Sequence, residues 1–324
     1  MAKKGILVTG GTGLVGVYTV GMLLDRGERP VIFDIAINDR LLDALGVDCY
    51  RVTMVRGDTL DLPALITAIR DHDCDRIIHL AALLGEEVQR RPYSGVRLNV
   101  MGTVNVCEAA RLEKVSRVIF PSSGTVFRSS GLEGVTRIDE DIPVNPPSIY
   151  ASTKVGCEFI GRAYGKRYGF EFVSVRYVGG LYGPSPTAQK ATREIAIQEM
   201  IRAAVKGTAA KIAWPYAPNE LLYGKDAAKG TVLAVLKENL EDHLFHVGNS
   251  EIVGGEEILA AIAKHFPAAK IDLLKGENPM PYSQDIRQAS DYSRAQKQLG
   301  YEPDYSFEKA VGDYAATLKK LEKL

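Results

Sequence analysis

The fold follows from one segment near the N-terminus: Gly5-Ile6-Leu7-Val8-Thr9-Gly10-Gly11-Thr12-Gly13-Leu14-Val15-Gly16. Its first residues form a short apolar run, which predicts a buried parallel strand, and the apolar spacing over 14–26 predicts a helix. Glycines between a strand and a helix permit positive φ and a close approach to a pyrophosphate, and the helix N-terminus offers free N–H groups. The turn therefore predicts a dinucleotide-binding site formed by Gly10, Gly13, Leu14, Val15 and Gly16.

Asp34 indicates which dinucleotide binds. It ends the second predicted strand, close to the spacing of ~20 residues expected after the glycine turn for the acidic residue that bonds the ribose hydroxyls. Because its carboxylate would repel a 2′-phosphate, we predict NAD rather than NADP. Arg40 lies close in sequence and would weaken that preference.

The alternation of strand and helix patterns continues along the chain. Short apolar strands are predicted at 5–9, 30–34, 50–56, 76–80, 117–121 and 170–177, with helices between them. Such alternation indicates right-handed βαβ units and a parallel sheet. We therefore predict an α/β protein with a doubly wound parallel sheet (a Rossmann fold) and a smaller C-terminal substrate-binding lobe.

The domain bounds follow from the place where this alternation loosens, which is after Tyr177. We assign residues 1–177 to the dinucleotide-binding Rossmann domain, with later elements at about 219–247 returning to it. Residues 178–218 and 248–324 are assigned mainly to the substrate-binding lobe.

Composition and charge limit the partners. The 40 basic residues balance the 40 acidic ones, so no global field favours nucleic acid or an anionic membrane. No stretch approaches the ~20 apolar residues that span a bilayer, and a strand follows the N-terminus too soon for a signal peptide. The four cysteines and five histidines lack metal-ligand spacing. We therefore expect a reduced, cytoplasmic protein without a metal that binds a small-molecule substrate.

Tyr150 and Lys154 are the first candidates for catalysis. The sequence Tyr150-Ala151-Ser152-Thr153-Lys154 places a phenol and an ammonium one helical turn apart on the same face. A free tyrosine has a pKa near ~10, and an adjacent Lys⁺ together with a positively charged nicotinamide favours the phenolate. Tyr150 would then act as a general base towards a substrate hydroxyl, and as the acid in the reverse direction.

Together these motifs resemble those of extended short-chain dehydrogenases/reductases of the NAD-dependent epimerase/dehydratase family. The resemblance covers nearly the whole chain and implies NAD as the cofactor. It also implies a homodimer formed through the predicted helices at 94–113 and 149–168. Besides the glycine turn, the matching segments are Gly57-Asp58, His79-Leu80-Ala81-Ala82, Leu98-Asn99-Val100, Ser122-Ser123-Gly124-Thr125-Val126-Phe127, Tyr150-x-x-x-Lys154, Arg176-Tyr177, Tyr182-Gly183-Pro184 and Leu299-Gly300-Tyr301-Glu302-Pro303.

The same resemblance implies a role for each matching residue. Ser123 would complete the catalytic set by bonding the reacting oxygen beside Tyr150, Thr125 would line the substrate pocket, and Lys154 would also bind the nicotinamide ribose. The further cofactor contacts implied are Asp58 at the adenine amine, Leu80, Ala81 and Ala82 beside the cofactor, Asn99 near it, and Tyr177 at the nicotinamide. The alternatives are structural: a turn for Asp58, a bond within the helix for Asn99 and core packing for Tyr177.

The segment after Ser123 bears on the reaction. Dehydratases of this family typically carry Asp-Glu there, whereas this chain has Gly124 and Val126 around Thr125. We therefore expect hydride removal from a secondary alcohol rather than dehydration. Our first hypothesis is an epimerase of a sugar or sugar nucleotide, and the alternative is a dehydrogenase of a small hydroxy acid or amino-acid-like substrate. A non-catalytic NAD-binding sensor is a third hypothesis, which the intact catalytic set disfavours.

The lobe carries the features that bear on the substrate. Many nucleotide-sugar epimerases have an arginine for the diphosphate near the position of Asn219-Glu220, and its absence here lowers the expectation of a nucleotide. The same segment resembles that of short-chain threonine dehydrogenases. The candidate anion partners are Arg193, Arg202 and Arg287, and Trp214 and Tyr216 would either stack on a ring or simply pack the lobe.

Overall fold

The computed structural model describes residues 4–38, 40–127, 132–184, 193–276 and 288–322, and Arg287 and the side chain of Arg40 lie outside the described part. The strands are β1 (Gly5–Thr9), β2 (Arg29–Asp34), β3 (Thr53–Arg56), β4 (Cys74–His79), β5 (Arg117–Ser123), β6 (Arg137–Ile138), β7 (Glu171–Tyr177), β8 (Gly180–Tyr182), β9 (Ala210–Ala213), β10 (Asn219–Tyr223), β11 (Leu244–Val247), β12 (Ile252–Val253), β13 (Ile271–Leu274) and β14 (Ala289–Ser290).

The helices are α1 (Leu14–Asp25), α2 (Arg40–Ala44), α3 (Leu62–Asp71), α4 (Gly85–Arg90), α5 (Pro92–Val96), α6 (Gly102–Leu112), α7 (Ile149–Tyr168), α8 (Arg193–Lys206), α9 (Gly224–Leu236), α10 (Gly255–His265), α11 (Ser293–Leu299) and α12 (Phe307–Glu322). A π-helical turn (Arg97–Met101) joins α5 to α6, and short 3₁₀ turns lie at Cys49–Arg51 and Gly124–Val126.

Seven strands form one parallel sheet in the order β11-β7-β5-β4-β1-β2-β3. Parallel neighbours need long crossovers, so helices cover both faces of the sheet. Because β1 has β2 on one side and β4 on the other, the direction of winding reverses there. The ligand crevice of such a sheet lies at the carboxyl ends of the strands at this reversal. The predicted doubly wound α/β fold is confirmed.

The central strands are apolar on both faces because each face is covered. Ile6 and Val8 of β1 lie in the core layer of α1 and α9, whereas Leu7 lies in the opposite layer with α3, α6 and α7. All three side chains are 0% exposed. Burial on both faces explains why β1 is a continuous apolar run rather than an alternating one.

A third core lies between α8, α10 and α12 and contains Ile197, Ile258 and Val311. The stretch 219–247 divides between the two parts. β11 pairs with β7 at the edge of the main sheet, and α9 packs in its core, whereas β10 pairs with β8 and β12 in a separate three-stranded sheet. Helix α11 packs on β11 and α9. The domain bounds assigned from the sequence stay a prediction.

Two elements differ from the sequence-based expectation. The helix predicted over 94–113 begins at Pro92, because proline suits the first turn of a helix, and the π turn interrupts it. The strand predicted over 50–56 begins only at Thr53. The preceding residues form a 3₁₀ turn in which the Tyr50 N–H donates to the Asp48 carboxylate at 3.0 Å.

Candidate active site

The glycine turn lies between β1 and α1, at the reversal of the sheet. Gly10 has φ +68°, and a Cβ there would lie 2.8 Å from the Ala81 nitrogen. At Gly16 a Cβ would lie 2.4 Å from the Gly10 carbonyl oxygen, so both positions require glycine. Gly13 precedes the first helical residues, Leu14 and Val15, whose N–H groups are among those that a helix leaves without an intrahelical partner. The turn therefore fits a pyrophosphate at the N-terminus of α1.

Asp34 ends β2 beside this turn. Its Oδ2 accepts the Thr12 N–H at 3.1 Å and the Thr12 hydroxyl at 2.8 Å, and its Oδ1 accepts the Ala36 N–H at 3.2 Å. The structure thus brings the predicted ribose-binding carboxylate to the rim of the predicted phosphate site.

Two further predicted segments lie along the same crevice. Leu80 and Ala81 follow β4 and run beside β1, because their N–H groups donate to the Thr9 carbonyl at 3.0 Å and to the Thr9 hydroxyl at 3.3 Å. Ala82 continues this partly buried segment. The Asp58 carboxylate accepts the Leu60 N–H at 2.9 Å, so the turn-forming role considered for it is present, and its contact with adenine stays a prediction.

His79 connects this segment to the helix layer as a buried histidine with both ring nitrogens hydrogen-bonded. The hydroxyl of Thr103 donates to the Asn99 carbonyl at 2.7 Å, so it accepts from His79 Nε2 at 3.2 Å. His79 Nδ1 then accepts from the Thr9 hydroxyl at 2.8 Å. Burial, together with the charge of Lys154, lowers the pKa of His79 to about 3, so its imidazole is neutral. The strand-end position of His79 was a signal, but its two threonine partners are distant in sequence.

Asn99 lies in the π turn and is 4% exposed. Its Oδ1 accepts the Leu83 N–H at 2.9 Å, and its Nδ2 donates to the Leu83 carbonyl at 3.0 Å and to the Thr153 hydroxyl at 3.3 Å. Thr153 in turn donates to the Tyr150 carbonyl at 2.7 Å. Asn99 therefore fastens the segment after β4 to α7, which explains its burial.

Ser123, Tyr150 and Lys154 lie together at the end of β5. Ser123 lies beside Tyr150, and its Oγ accepts the Thr125 N–H at 3.2 Å and hydroxyl at 2.9 Å. Burial raises the pKa of the Tyr150 phenol to about 12, and the nearby Ser123 hydroxyl opposes this rise. Ser148 caps α7 by accepting the Ala151 N–H, which places Tyr150 in the first turn.

Lys154 is buried beneath Tyr150. Its Nζ donates to the Pro121 carbonyl at 2.7 Å and lies 5.8 Å from the centroid of the Tyr150 ring. Burial lowers the pKa of Lys154 to about 8. An ammonium has three N–H groups, so two are left for other acceptors after Pro121 is satisfied. This arrangement can hold the Lys154 ammonium beside the Tyr150 phenol while the phenol exchanges a proton with a substrate.

Tyr177 pairs with Ser123 in the β5–β7 register, but its hydroxyl points to α9. Thr231 donates to the Ala227 carbonyl at 2.9 Å, so the Tyr177 hydroxyl donates to Thr231 Oγ1 at 2.6 Å. The core-packing role considered for Tyr177 is therefore present. Its approach to the nicotinamide stays a prediction.

The lobe residues predicted to contact the substrate do not form one cluster as the catalytic residues do. Arg202 pairs with Glu322 at 2.6 Å, which leaves it in a lobe ion pair. Arg193 is 9% exposed, with its guanidinium 5.1 Å from the centroid of the Tyr216 ring, and Trp214 contacts Tyr216 edge-on at 5.2 Å.

Glu220 stands near the position at which many nucleotide-sugar epimerases carry an arginine, and its side chain is buried. Its carboxylate accepts the N–H groups of Asn249 at 2.7 Å and Ser250 at 3.0 Å. It also accepts the Ser290 N–H at 2.7 Å and hydroxyl at 2.8 Å. Burial raises the pKa of Glu220, and these donors oppose the rise. Glu220 thus joins three segments rather than lining a site for an anion.

Comparison with known proteins agrees with this geometry. Residues 6–248 match the model of the NAD dependent epimerase/dehydratase family, so the chain belongs to that family. A UDP-glucose 4-epimerase of Halalkalibacterium halodurans is 26% identical over 93% of this chain and 91% of its own length. The resemblance noted in the sequence is confirmed, and with it an NAD-dependent enzyme of the epimerase or dehydrogenase type.

Solved structures share the fold. The UDP-glucose 4-epimerase of Thermus thermophilus, in complex with NAD, aligns with a TM-score of 0.80 at 24% identity over 98% of this chain and 99% of that one. An L-threonine dehydrogenase from Cupriavidus necator aligns with a TM-score of 0.83 at 23% identity, covering 97% of this chain and 100% of that one.

Neither a metal cluster nor a membrane-spanning helix is found in the described part of the chain. Within it, no group of three or more His, Cys, Asp or Glu side chains could hold a metal ion. No described helix is both long and apolar enough to cross a bilayer.

Proposed function

We propose that this chain is an NAD-dependent epimerase that acts on a secondary hydroxyl of a sugar or sugar nucleotide. The observation that carries the proposal is the grouping of Ser123, Tyr150 and Lys154 at the end of β5, with no carboxylate between Ser123 and Phe127. The UDP-glucose 4-epimerase relative supports the substrate class.

In this proposal each catalytic side chain handles a proton or a charge. Ser123 donates to the reacting oxygen and holds it beside Tyr150, while Thr125 lines the same pocket. Tyr150 takes the proton of the substrate hydroxyl as a phenolate and later returns it. Lys154 stabilises the phenolate and bonds the nicotinamide ribose. NAD bound at this site would supply the hydride acceptor for the substrate carbon, and the same hydride would return to the opposite face.

The cofactor site in this proposal extends along the carboxyl ends of five strands, β1 to β4 and β7. The turn from Gly10 to Gly16 binds the pyrophosphate, Asp34 the adenosine ribose and Asp58 the adenine amine. The other contacts come from Leu80, Ala81, Ala82, Asn99 and Tyr177. The Cβ clashes at Gly10 and Gly16 support the phosphate assignment, because glycine at both positions lets the turn pack tightly against Ala81 and against its own backbone, as a dinucleotide-binding turn requires.

A dehydrogenase of a small hydroxy acid or amino-acid-like substrate is the second candidate. The buried Glu220 favours this candidate. At this position the chain has a carboxylate that binds the N–H groups of Asn249, Ser250 and Ser290, and it lacks a cation that could bind the diphosphate of a sugar nucleotide.

One experiment separates the two candidates. The purified protein is mixed with NAD and either UDP-glucose or L-threonine, while the absorbance of reduced nicotinamide and the sugar products are followed. An epimerised sugar without net accumulation of reduced cofactor supports the epimerase. Stoichiometric reduced cofactor with the amino acid supports the dehydrogenase. Retained NAD without turnover of either compound would favour a sensor.

The proposed enzyme is a cytoplasmic homodimer. Apolar side chains are exposed along the two helices predicted to form the interface: Tyr93, Val96 and Leu112 near α5 and α6, and Phe159 and Tyr168 on α7. Exposed apolar side chains grouped on neighbouring helices favour burial against another surface. Sedimentation of the parent chain and of a Phe159→Glu variant tests this, and a parent that sediments as a monomer contradicts it.

A further inference from the structure

Thr12 holds the Asp34 carboxylate by two hydrogen bonds. Thr12 is 4% exposed, and both its N–H and its hydroxyl donate to the same oxygen, Oδ2, at 3.1 and 2.8 Å. The hydroxyl also lies 3.2 Å from the Ala36 carbonyl oxygen, so the carboxylate is the nearer of its two acceptors. The Ala36 N–H donates to the other oxygen, Oδ1, at 3.2 Å. Contacts on both oxygens fix the rotation of the carboxylate as well as its position.

Among the residues that the structure describes, these contacts leave one acceptor position of Asp34 unoccupied. An ionised carboxylate has about four acceptor positions, two on each oxygen. Thr12 occupies both positions on Oδ2, and Ala36 occupies one on Oδ1. A ribose hydroxyl therefore meets one free lone pair, on Oδ1, and Thr12 sets the direction in which that lone pair points.

A cation lies at the same rim. Arg56 is the register partner of Asp34 in the β2–β3 pair, and its Nε donates to the Ile35 carbonyl at 3.2 Å. A 2′-phosphate arriving at this rim would be repelled by the carboxylate and attracted by the guanidinium. Whether repulsion or attraction of a 2′-phosphate is stronger depends on whether the Asp34 carboxylate is held in place, because Arg56 is at the rim whether or not the carboxylate is held.

We propose that Thr12 is a positioning residue for cofactor selectivity, whose hydroxyl holds Asp34 towards the adenosine ribose and so favours NAD over NADP. The proposal rests on the proposed role of Asp34 at that ribose. Without the hydroxyl, Oδ2 loses its shorter partner and the Asp34 side chain gains access to other rotamers. The carboxylate then turns away from a 2′-phosphate, and the guanidinium of Arg56 is left to attract it.

Three variants test the hydroxyl. Thr12→Val removes it with little change of shape, and Thr12→Ser retains it. Thr19→Val is the matched control, because Thr19 lies fully buried on α1 and its hydroxyl has no hydrogen-bond partner among the residues that the structure describes. The dissociation constants of NAD and NADP are measured by titration of the full chain.

Thr12→Val is expected to weaken NAD binding about tenfold, the lower end of the range that the loss of one hydrogen bond to a charged group predicts. NADP binding is expected to stay constant or to tighten, so the preference for NAD narrows by about tenfold or more. Thr12→Ser and Thr19→Val are expected to keep the parent ratio. If Thr12→Val weakens both cofactors by the same factor, Thr12 supports only the turn and the proposal is overturned.

Asp34→Ala separates this proposal from the role on which it rests. If Asp34→Ala leaves the NAD to NADP ratio unchanged, the ribose assignment of Asp34 fails. If Asp34→Ala changes the ratio and Thr12→Val does not, only the role of Thr12 fails. In the Asp34→Ala background, Thr12→Val is expected to have no further effect on the ratio, and additive effects would refute the coupling. Thr12→Ala provides the same test should the valine variant not fold.

Discussion

Lys154→Met is the sharpest test of the proposed acid/base chemistry. Lys154 is 6% exposed, and its Nζ lies 5.8 Å from the centroid of the Tyr150 ring. Methionine keeps an unbranched apolar side chain of similar length, and it removes the cation together with its hydrogen bond to the Pro121 carbonyl. The substitution therefore removes the charge that stabilises the phenolate while it fills the same space.

The size of the effect follows from that distance. With the phenolate charge taken at the ring centroid and an effective dielectric constant of about 20, the attraction over 5.8 Å is about 3 kcal/mol. This corresponds to about two pKa units, or about a hundredfold in the phenolate population at neutral pH. Burial already raises the pKa of Tyr150 to about 12, so losing the cation moves the phenol further from ionisation at neutral pH.

The assay is the pH profile of kcat at saturating NAD and substrate. The acidic limb of the profile reports ionisation of Tyr150, so losing the cation moves this limb towards higher pH by about two units. Activity lost at neutral pH is then partly recovered in alkali. Lys166→Met, at an exposed position of the same helix, is the control and is expected to leave the profile unchanged. An equal loss at every pH would mean that Lys154 acts only by binding the ribose.

Three other changes have definite expected outcomes. Tyr150→Phe should lower kcat by about 10²- to 10⁴-fold and leave NAD affinity unchanged in a titration, and turnover close to that of the parent would refute the acid/base role. Gly16→Ala places a Cβ 2.4 Å from the Gly10 carbonyl oxygen, so NAD binding should weaken by at least about tenfold, whereas Gly156→Ala, with open space around its Cβ, should not affect it. Burial raises the pKa of Asp226 to about 6, so its ionisation lowers stability as pH rises from about 4 to about 6. In urea unfolding, Asp226→Asn should gain up to about 3 kcal/mol relative to the parent between those pH values, and a constant difference would contradict the assignment.

The buried polar contacts explain how the two halves of the proposed site keep their spacing. His79 joins Thr9 of the strand beside the glycine turn to Thr103 of α6. Asn99 joins the segment after β4 to Thr153, one residue before Lys154. Such contacts leave few polar groups unsatisfied, so a shift of one element away from the other would expose several unpaired donors and acceptors at once. The cofactor wall and the catalytic helix are therefore held as one unit.

The doubly wound sheet was predictable because its causes are local. Strands buried on both faces are continuous apolar runs, as in Gly5–Thr9, and helices that cover them carry apolar residues at helical spacing. The helix predicted at about 149–168 matches α7, whose start is capped by Ser148 and whose end is marked by Gly169 with φ +81°. The π turn at Arg97–Met101 was not predictable in this way, because side-chain bonds of Asn99 to a distant segment accompany it.

The residues of the candidate site also fall into two groups: those that local spacing predicted and those that only tertiary contacts determine. Spacing within the chain placed Tyr150 and Lys154 on one helical face, and the glycine turn before a helix indicated a phosphate site, since both depend on residues a few positions apart. The hydrogen bond from Thr12 to Asp34 and the bond of the Tyr177 hydroxyl to Thr231 are contacts between elements that are distant in the chain, so no local sequence pattern predicts them. The sequence alone thus established the fold, the cofactor class and the candidate catalytic pair. Only tertiary packing decided which atoms of those residues are already bonded and which remain open to a ligand, because that choice is made by neighbours distant in the chain.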